Sequence, residues 1–393
     1  MSQPSNENLM LRDDPVALTM QLAQINSINP SLVAGAPGEA DVASFVAAWC
    51  MERGFEVHIE EVAPGRPNVI AIKRGSGGGR SLLFNGHLDT VGASSGETMR
   101  VIESGGRLSG RGVLDTKGGL ACALVAASRI EPGELAGDLL VAAVADEEYA
   151  SLGTEALVAT WSADAAVILE PTDLAIIPRH KGFAVIEAEF VGRASHTSRP
   201  DRGANAVHAA ARAVIATAAL DAQWVADSHP SADGPRVLAS RIDSGGETFT
   251  VPARCELIVE LRTTAGSVDR QILDVLDAIG ISGQDVHVRS RVALSRPPLG
   301  VGDDHPLVRA VVDALCENVG GIPVVASAPY WTDAALHHAA GTPAVVFGPK
   351  GEGLHEDLEW VSIASLGTCA ATLETLARAW CASPVNRGRN NGS

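Results

Sequence analysis

Aromatic residues are scarce in this chain: 4% of 393 positions, with Phe 7, Trp 6 and Tyr 2. Its six cysteines form no C-x-x-C pair, which argues against a disulfide framework or a thiolate zinc site. Cys122 lies near a suspected site, but its apolar neighbours read as core packing. Positive charge is in deficit, with 30 Lys and Arg against 47 Asp and Glu. The net charge of −17 removes the basic face that a nucleic-acid partner requires. It does not identify a cationic substrate, because surface carboxylates also serve solubility. No apolar run is long enough to span a bilayer. The start, MSQPSNENLMLRDD, lacks a basic segment followed by an apolar core, so no signal peptide is expected. A soluble, cytoplasmic protein with no membrane partner is the expectation. There is no internal repeat, and the tail NRGRNNGS is expected to be disordered.

What is present is an ordinary globular composition, 46% hydrophobic and 20% charged. The length suggests two or three domains. The chain is organised around SLLFNGHLDTVG, where Leu82-Leu83-Phe84 stops at Asn85-Gly86 and His87 and Asp89 follow. A short apolar run bounded by Gly and polar residues reads as a buried strand, and residues two apart project on one side. An imidazole and a carboxylate placed so suit a metal ligand and the group that orients it.

In chain order, Asp14-Pro15 opens a helix, with Asp as N-cap and Pro at the first position. A second helix is predicted from about Glu39 to Arg53, stopped by Gly54. Strands are predicted at Phe55–Glu60 and Asn68–Lys73, and a hairpin around Ser104-Gly105-Gly106. GRGVLDTKGGLACALVAAS places Asp115 in a Gly-rich turn before a buried helix. Leu139–Ala145 ends in Asp146-Glu147-Glu148, and Ala165–Leu169 ends in Glu170. Acids and histidine gathered at strand ends, with helices interleaved, indicate an α/β sheet with its ligands at strand C-termini. After His180-Lys181-Gly182 the order is strand, helix, two strands, helix, strand, the split βαβ pattern of a small α+β module. The expected division is 1–181 and 296–393 for a catalytic domain and 182–295 for an insertion.

His87, Asp115, Glu147, Glu148, Glu170 and His355 form a donor set without thiolate. Imidazole mixed with carboxylate suits Zn²⁺, with Mn²⁺ or Co²⁺ as substitutes. The number of donors exceeds the need of one catalytic zinc and suits two metals sharing a carboxylate. Such a pair lowers the pKa of a bridging water, polarises a carbonyl and still needs a base. Adjacent Glu147 and Glu148 would divide the labour, one binding metal and the other taking the proton.

GHLDTVG, GRGVLDTKGGLA, ADEEYASLGTEAL, ILEPTD, GRASHTSRPDRGANA, TDAAL and FGPKGEGLHEDLEWV follow one family in order and spacing. Over residues 15–382 the chain resembles the co-catalytic metallopeptidases typified by acetylornithine deacetylase, succinyl-diaminopimelate desuccinylase, aminoacylase-1 and carboxypeptidase G. The resemblance implies a mixed-sheet, helix-flanked α/β catalytic domain with an inserted ferredoxin-like α+β lid and dimerisation domain. It also implies His87, Asp115 and Glu170 at one metal and Asp115, Glu148 and His355 at the other, Asp115 bridging and followed by a cis peptide. Glu147 would be the general base and Asp89 the residue orienting His87. His196, in the A-x-H motif, would reach the partner subunit's site in a homodimer joined through the lid. Arg262 in ELRT matches an arginine that holds a substrate carboxylate.

His180-Lys181-Gly182 is most similar to the acetylornithine deacetylase branch. Two departures bear on substrate. Thr250 stands where the family reads asparagine, and Pro329-Tyr330-Trp331 replaces small residues before Thr332-Asp333-Ala334. Trp331 either lines a pocket for a flat group or packs a loop. The expected activity is cleavage of the amide of an N-acyl amino acid carrying a carboxylate. The alternatives are a carboxypeptidase or dipeptidase, or a hydrolase of another C–N bond such as an aryl amine. A catalytically dead metal-binding protein is the rival from another class, and it is disfavoured because Glu147 is present.

Overall fold

The computed structural model describes residues 13–92, 100–131, 133–228, 234–280 and 285–382. The tail expected to be disordered lies outside them. The chain divides into two compact units. One takes the described residues of Met1–Pro178, Val301–Ala326 and Thr332–Ser393; the other takes Arg179–Gly300 and Ser327–Trp331.

In the first unit, Asp14 caps helix α1 (Pro15–Gln24) by accepting the Val16 N–H at 3.0 Å. Helix α2 (Ala40–Met51) follows, and Gly54 beyond it takes φ +71°, a left-handed value that glycine adopts at low cost. Strands β1 (Glu56–Ala63), β2 (Arg66–Lys73) and β3 (Leu82–His87) come next, then the predicted hairpin, β4 (Ile102–Ser104) and β5 (Arg107–Ser109). Strands β6 (Leu139–Val144), β7 (Ala166–Ile168) and β8 (Ile176–His180) complete the first passage. The sheet order is β1-β2-β6-β3-β7, then Ala344–Val346, then β8. β1, β2 and β6 pair antiparallel, whereas β3 runs parallel to both β6 and β7. The sheet is therefore mixed, and its parallel strands β6, β3, β7 and Ala344–Val346 end at the same edge.

Every residue of β3 and β6 is buried, which explains the unbroken apolar run of β6 and the Leu82–Phe84 start of β3. Helix α3 (Lys117–Ser128) is buried from Lys117 to Ala127. Its first turn can come so close because a Cβ on Gly119 would collide with the Leu169 carbonyl oxygen. That approach sets the loop carrying Asp115 beside the end of β7.

The second unit is an antiparallel sheet in the order β10-β11-β9-β12, from β9 (Gly182–Val191), β10 (Arg236–Asp243), β11 (Arg254–Thr263) and β12 (His287–Arg296). Burial alternates along β9 and buries Ala184, Ile186, Ala188 and Phe190. These pack with Leu257, Val259 and Leu261 of β11 and with the helices Ala206–Asp227 and Val268–Gly280. This is the ferredoxin-like α+β arrangement. Among the described residues no helix is long and apolar enough to cross a membrane.

Candidate active site

His87 is the last residue of β3 and lies opposite Val144, so the chain beyond β6 delivers Asp146, Glu147 and Glu148 beside it. Glu170 leaves β7 at the same edge. His87 is buried, and its Nδ1 meets the main-chain oxygen of Asp89 at 2.9 Å; the Asp89 carboxylate is 3.6 Å away. Because β3 stops at His87, strand alternation does not reach Asp89, and the main-chain oxygen rather than the carboxylate orients the ring. With Nδ1 donating, His87 Nε2 faces Asp115 Oδ1 at 3.0 Å and Glu170 Oε1 at 3.8 Å.

The other oxygen of Asp115 points elsewhere. His355 Nε2 lies 3.4 Å from Asp115 Oδ2 and 3.0 Å from Glu148 Oε2. One carboxylate thus serves two groups of donors, and the peptide bond after Asp115 is cis. His87, Glu147 and Glu170 offer ligand atoms within 4.8 Å of one another, and so do His87, Asp115 and Glu148. Both are clusters able to hold a metal ion.

The electrostatics fit two cations. Desolvation pushes Glu147 well above the usual carboxylate range, and the charges of Glu170 and Asp333 add to it. Burial takes Glu170 up to about 8 and also raises Glu148. Burial alone would raise Asp115, but hydrogen bonds from His355 and His87 hold it below its ordinary value. Hydrogen bonds to Asp115 and Glu148 lift His355 to about 10. His87 is desolvated yet still raised by Glu170 and Asp115. Imidazole nitrogens and four carboxylates converge here, and two divalent cations would balance the four negative charges. The donors are all nitrogen and oxygen, which suits zinc.

Several participants lie in the quoted motifs without having been singled out there. Glu359 is buried; its carboxylate accepts the N–H groups of Gly112, Leu114 and Asp115 at 3.0, 2.8 and 3.1 Å and pairs with Arg111 at 2.8 Å. Buried Lys117 donates to the Ile25 carbonyl at 2.9 Å, and burial lowers it to about 7. Asp333 is buried, and burial raises it to about 6 against the opposing effect of the Thr154 and Ser151 hydroxyls. The TDA motif was its signal. Asn29, Glu39, Arg66 and Asp146 form a further buried network.

The remaining predicted residues lie in the second unit. His196 is exposed, pairs in a β-bridge with exposed Thr250, and engages Ser198 through Nδ1 at 2.8 Å. His180 is buried with its Nδ1 on the Lys181 carbonyl at 3.0 Å, and Lys181 is itself buried. The Trp331 indole donates to Pro297 at 2.9 Å and meets Phe183 edge-on at 5.9 Å; Arg262 lies over Phe183 at 5.5 Å.

Comparison with known proteins places these features in a family. The model of peptidase family M20/M25/M40 matches residues 83–379. An acetylornithine deacetylase of Myxococcus xanthus is 31% identical over 337 residues, 82% of this chain and 86% of that protein. The aminopeptidase PepT from Bacillus cereus superposes with a TM-score of 0.78 at 20% identity, covering 93% of this chain and 98% of that one. An M20 family metallo-carboxypeptidase from Sulfolobus solfataricus gives 0.70 at 16% identity, with 93% and 99% covered. The protein is a co-catalytic, metal-dependent hydrolase acting on C–N bonds, and it belongs to peptidase family M20/M25/M40.

Proposed function

We propose that this chain hydrolyses the amide bond of an N-acyl amino acid, as a deacylase resembling the acetylornithine deacetylases. The observation that carries the reading is Asp115, whose two oxygens face different donor groups with Glu147 alongside. His87, Asp115 and Glu170 would hold one divalent ion, and Asp115, Glu148 and His355 the other. Zinc is the first choice, and cobalt or manganese would substitute. When bound, the ions would activate a water and polarise the substrate carbonyl. Glu147 takes the proton from the attacking water and delivers it to the amine nitrogen as the C–N bond breaks. Asp89 steadies this by accepting the Glu147 N–H at 3.1 Å while its main-chain oxygen fixes His87.

Arg262 pairs with the substrate carboxylate through its planar fork. Thr250, His180, Lys181 and Trp331 belong to the same recognition surface. The enzyme works as a cytoplasmic homodimer joined through the inserted unit. His196 acts across the dimer: Ser198 donates its N–H to Nδ1 at 3.2 Å, so the ring proton sits on Nε2, a donor for a developing oxyanion. Tyr149 and Leu354 follow Glu148 and precede His355 in sequence and are 63% and 45% exposed. Apolar surface beside those ligands favours an apolar acyl or side-chain group over the charged chain of ornithine.

The test is a panel. Enzyme loaded with zinc, manganese or cobalt is incubated with pooled N-acyl amino acids and dipeptides, and the products are read by mass spectrometry. Release of amines from acyl amino acids with apolar side chains is expected. Cleavage confined to dipeptides would refute the reading.

A further inference from the structure

The side-chain amide of Asn29 joins two carboxylates. Asn29 is fully buried, and its main-chain N–H donates to the Thr90 carbonyl at 2.9 Å, which lays this segment along the chain that follows His87. Its Oδ1 accepts the Ser31 N–H at 2.9 Å. Its Nδ2 donates to Asp89 Oδ2 at 2.8 Å and to Asp146 Oδ1 at 3.0 Å. A primary amide has two N–H donors, and here both are spent on carboxylates.

Each carboxylate leads to the site by its own route. Asp89 accepts the N–H of Glu147 at Oδ1 and of Glu148 at Oδ2, at 3.1 and 3.2 Å. Asp146 precedes Glu147 directly and sits at φ +67°, where a residue other than glycine needs outside support. The support comes from Arg66, which bonds Asp146 Oδ1 at 2.9 Å and is itself clasped by buried Glu39. Asp146 Oδ2 has no hydrogen-bond partner, so the side chain is anchored through Oδ1 and shared between Arg66 and Asn29. Asp89 and Asp146 are both buried, and this one amide is a hydrogen-bond donor to each.

We propose that Asn29 is a positioning residue for the general base: by tying Asp89 and Asp146 to one amide, it fixes the turn from which Glu147 aims its carboxylate. Asn29 acts through these two residues and the main chain. The proposal rests on Glu147 being the base, as read above. The amide holds the turn from both ends: Asp146 on the N-terminal side, and the N–H groups of Glu147 and Glu148 through Asp89. Loss of the amide lets the turn shift, and an outer partner of this kind is worth about 10- to 100-fold in activity.

The test is a double-mutant cycle in the metal-loaded enzyme. Asn29→Ala should lower kcat about 10- to 100-fold with KM within about two-fold. Metal analysis should still find two ions per chain. Placed in a Glu147→Gln background, the same change should cost little more, since the residue through which it acts is already gone. Asn29→Ser keeps an acceptor for Ser31 and one donor, and it is read in the same cycle if the alanine chain does not accumulate. Losses that multiply in the double mutant, or activity that falls only in step with metal content, would overturn the inference and leave the base in place. A Glu147→Gln enzyme with wild-type kcat would remove the base and this inference together.

Discussion

Glu359→Gln is the sharpest probe of how the loop carrying Asp115 is held. The substitution keeps shape and removes charge. Glu359 Oε1 accepts from Leu114 and Asp115, and Oε2 from Gly112 and from the buried Arg111 guanidinium. A glutamine can keep one of these pairs. If its oxygen stays with Leu114 and Asp115, its amide group must face the Gly112 N–H and Arg111, donor against donor. Two bonds to an ionised acceptor, each worth about 1.5–3 kcal/mol, are then lost. The expected cost is about 3–6 kcal/mol, read as a lower urea midpoint in metal-stripped protein.

The same loop carries Asp115, and the two Asp115 oxygens face different donor groups. Competition with a chelator should therefore show both ions bound more weakly, by about 10- to 100-fold. An unchanged urea midpoint would refute the clamp. Weakening of one ion alone would refute its link to a shared ligand.

Three further outcomes are expected. Glu147→Gln should keep both metals and lose about 10² or more in kcat; metal loss would instead make Glu147 a ligand and exchange its role with Glu148. His337 is buried, accepts from Asn85 Nδ2 at 2.9 Å, and is lowered by burial to about 4. Its folded value lies below the unfolded one, so its contribution is intact above about pH 6.5 and is lost as pH falls toward about 4, roughly 3 kcal/mol in all. His337→Gln keeps an acceptor and should flatten that part of the stability profile; parallel loss in both proteins between pH 7 and pH 4 would be the contrary result. Finally, inactive His196→Ala and Glu147→Gln chains, mixed under conditions that exchange subunits, should recover about half of wild-type activity per mixed dimer. Proven exchange without recovery would place His196 in its own subunit's chemistry.

The candidate metal-binding residues were legible because their chemistry interrupts a pattern. Strands β3, β6 and β7 are buried and apolar throughout β6 and β7, so the His or acid that ends each run stands out against it. The inserted module was legible for the same reason: Arg254–Thr263 alternates buried and solvent-facing positions along its length, and its helices and strands keep their own periods. Short elements were not. Ala334–Ala339 is too short to show a helical period, and Ile176–His180 mixes Pro, Arg and His into its run.

The supporting layer was hidden for a different reason. Glu39 stands at the start of α2, where an acid is ordinary, and no cap bond forms from its side chain. Its carboxylate is turned instead to Arg66, 27 positions away, which meets Asp146, 80 positions further on. Asn29 reaches Asp89 and Asp146 across separations of 60 and 117. Each of these is a common residue in an unremarkable local setting. What gives it a role is burial against a partner that only the folded sheet brings near. A ligand can be recognised by its type and by the strand that ends there, whereas a residue that aims a ligand is defined by a pairing, and a pairing over such distances leaves no local trace.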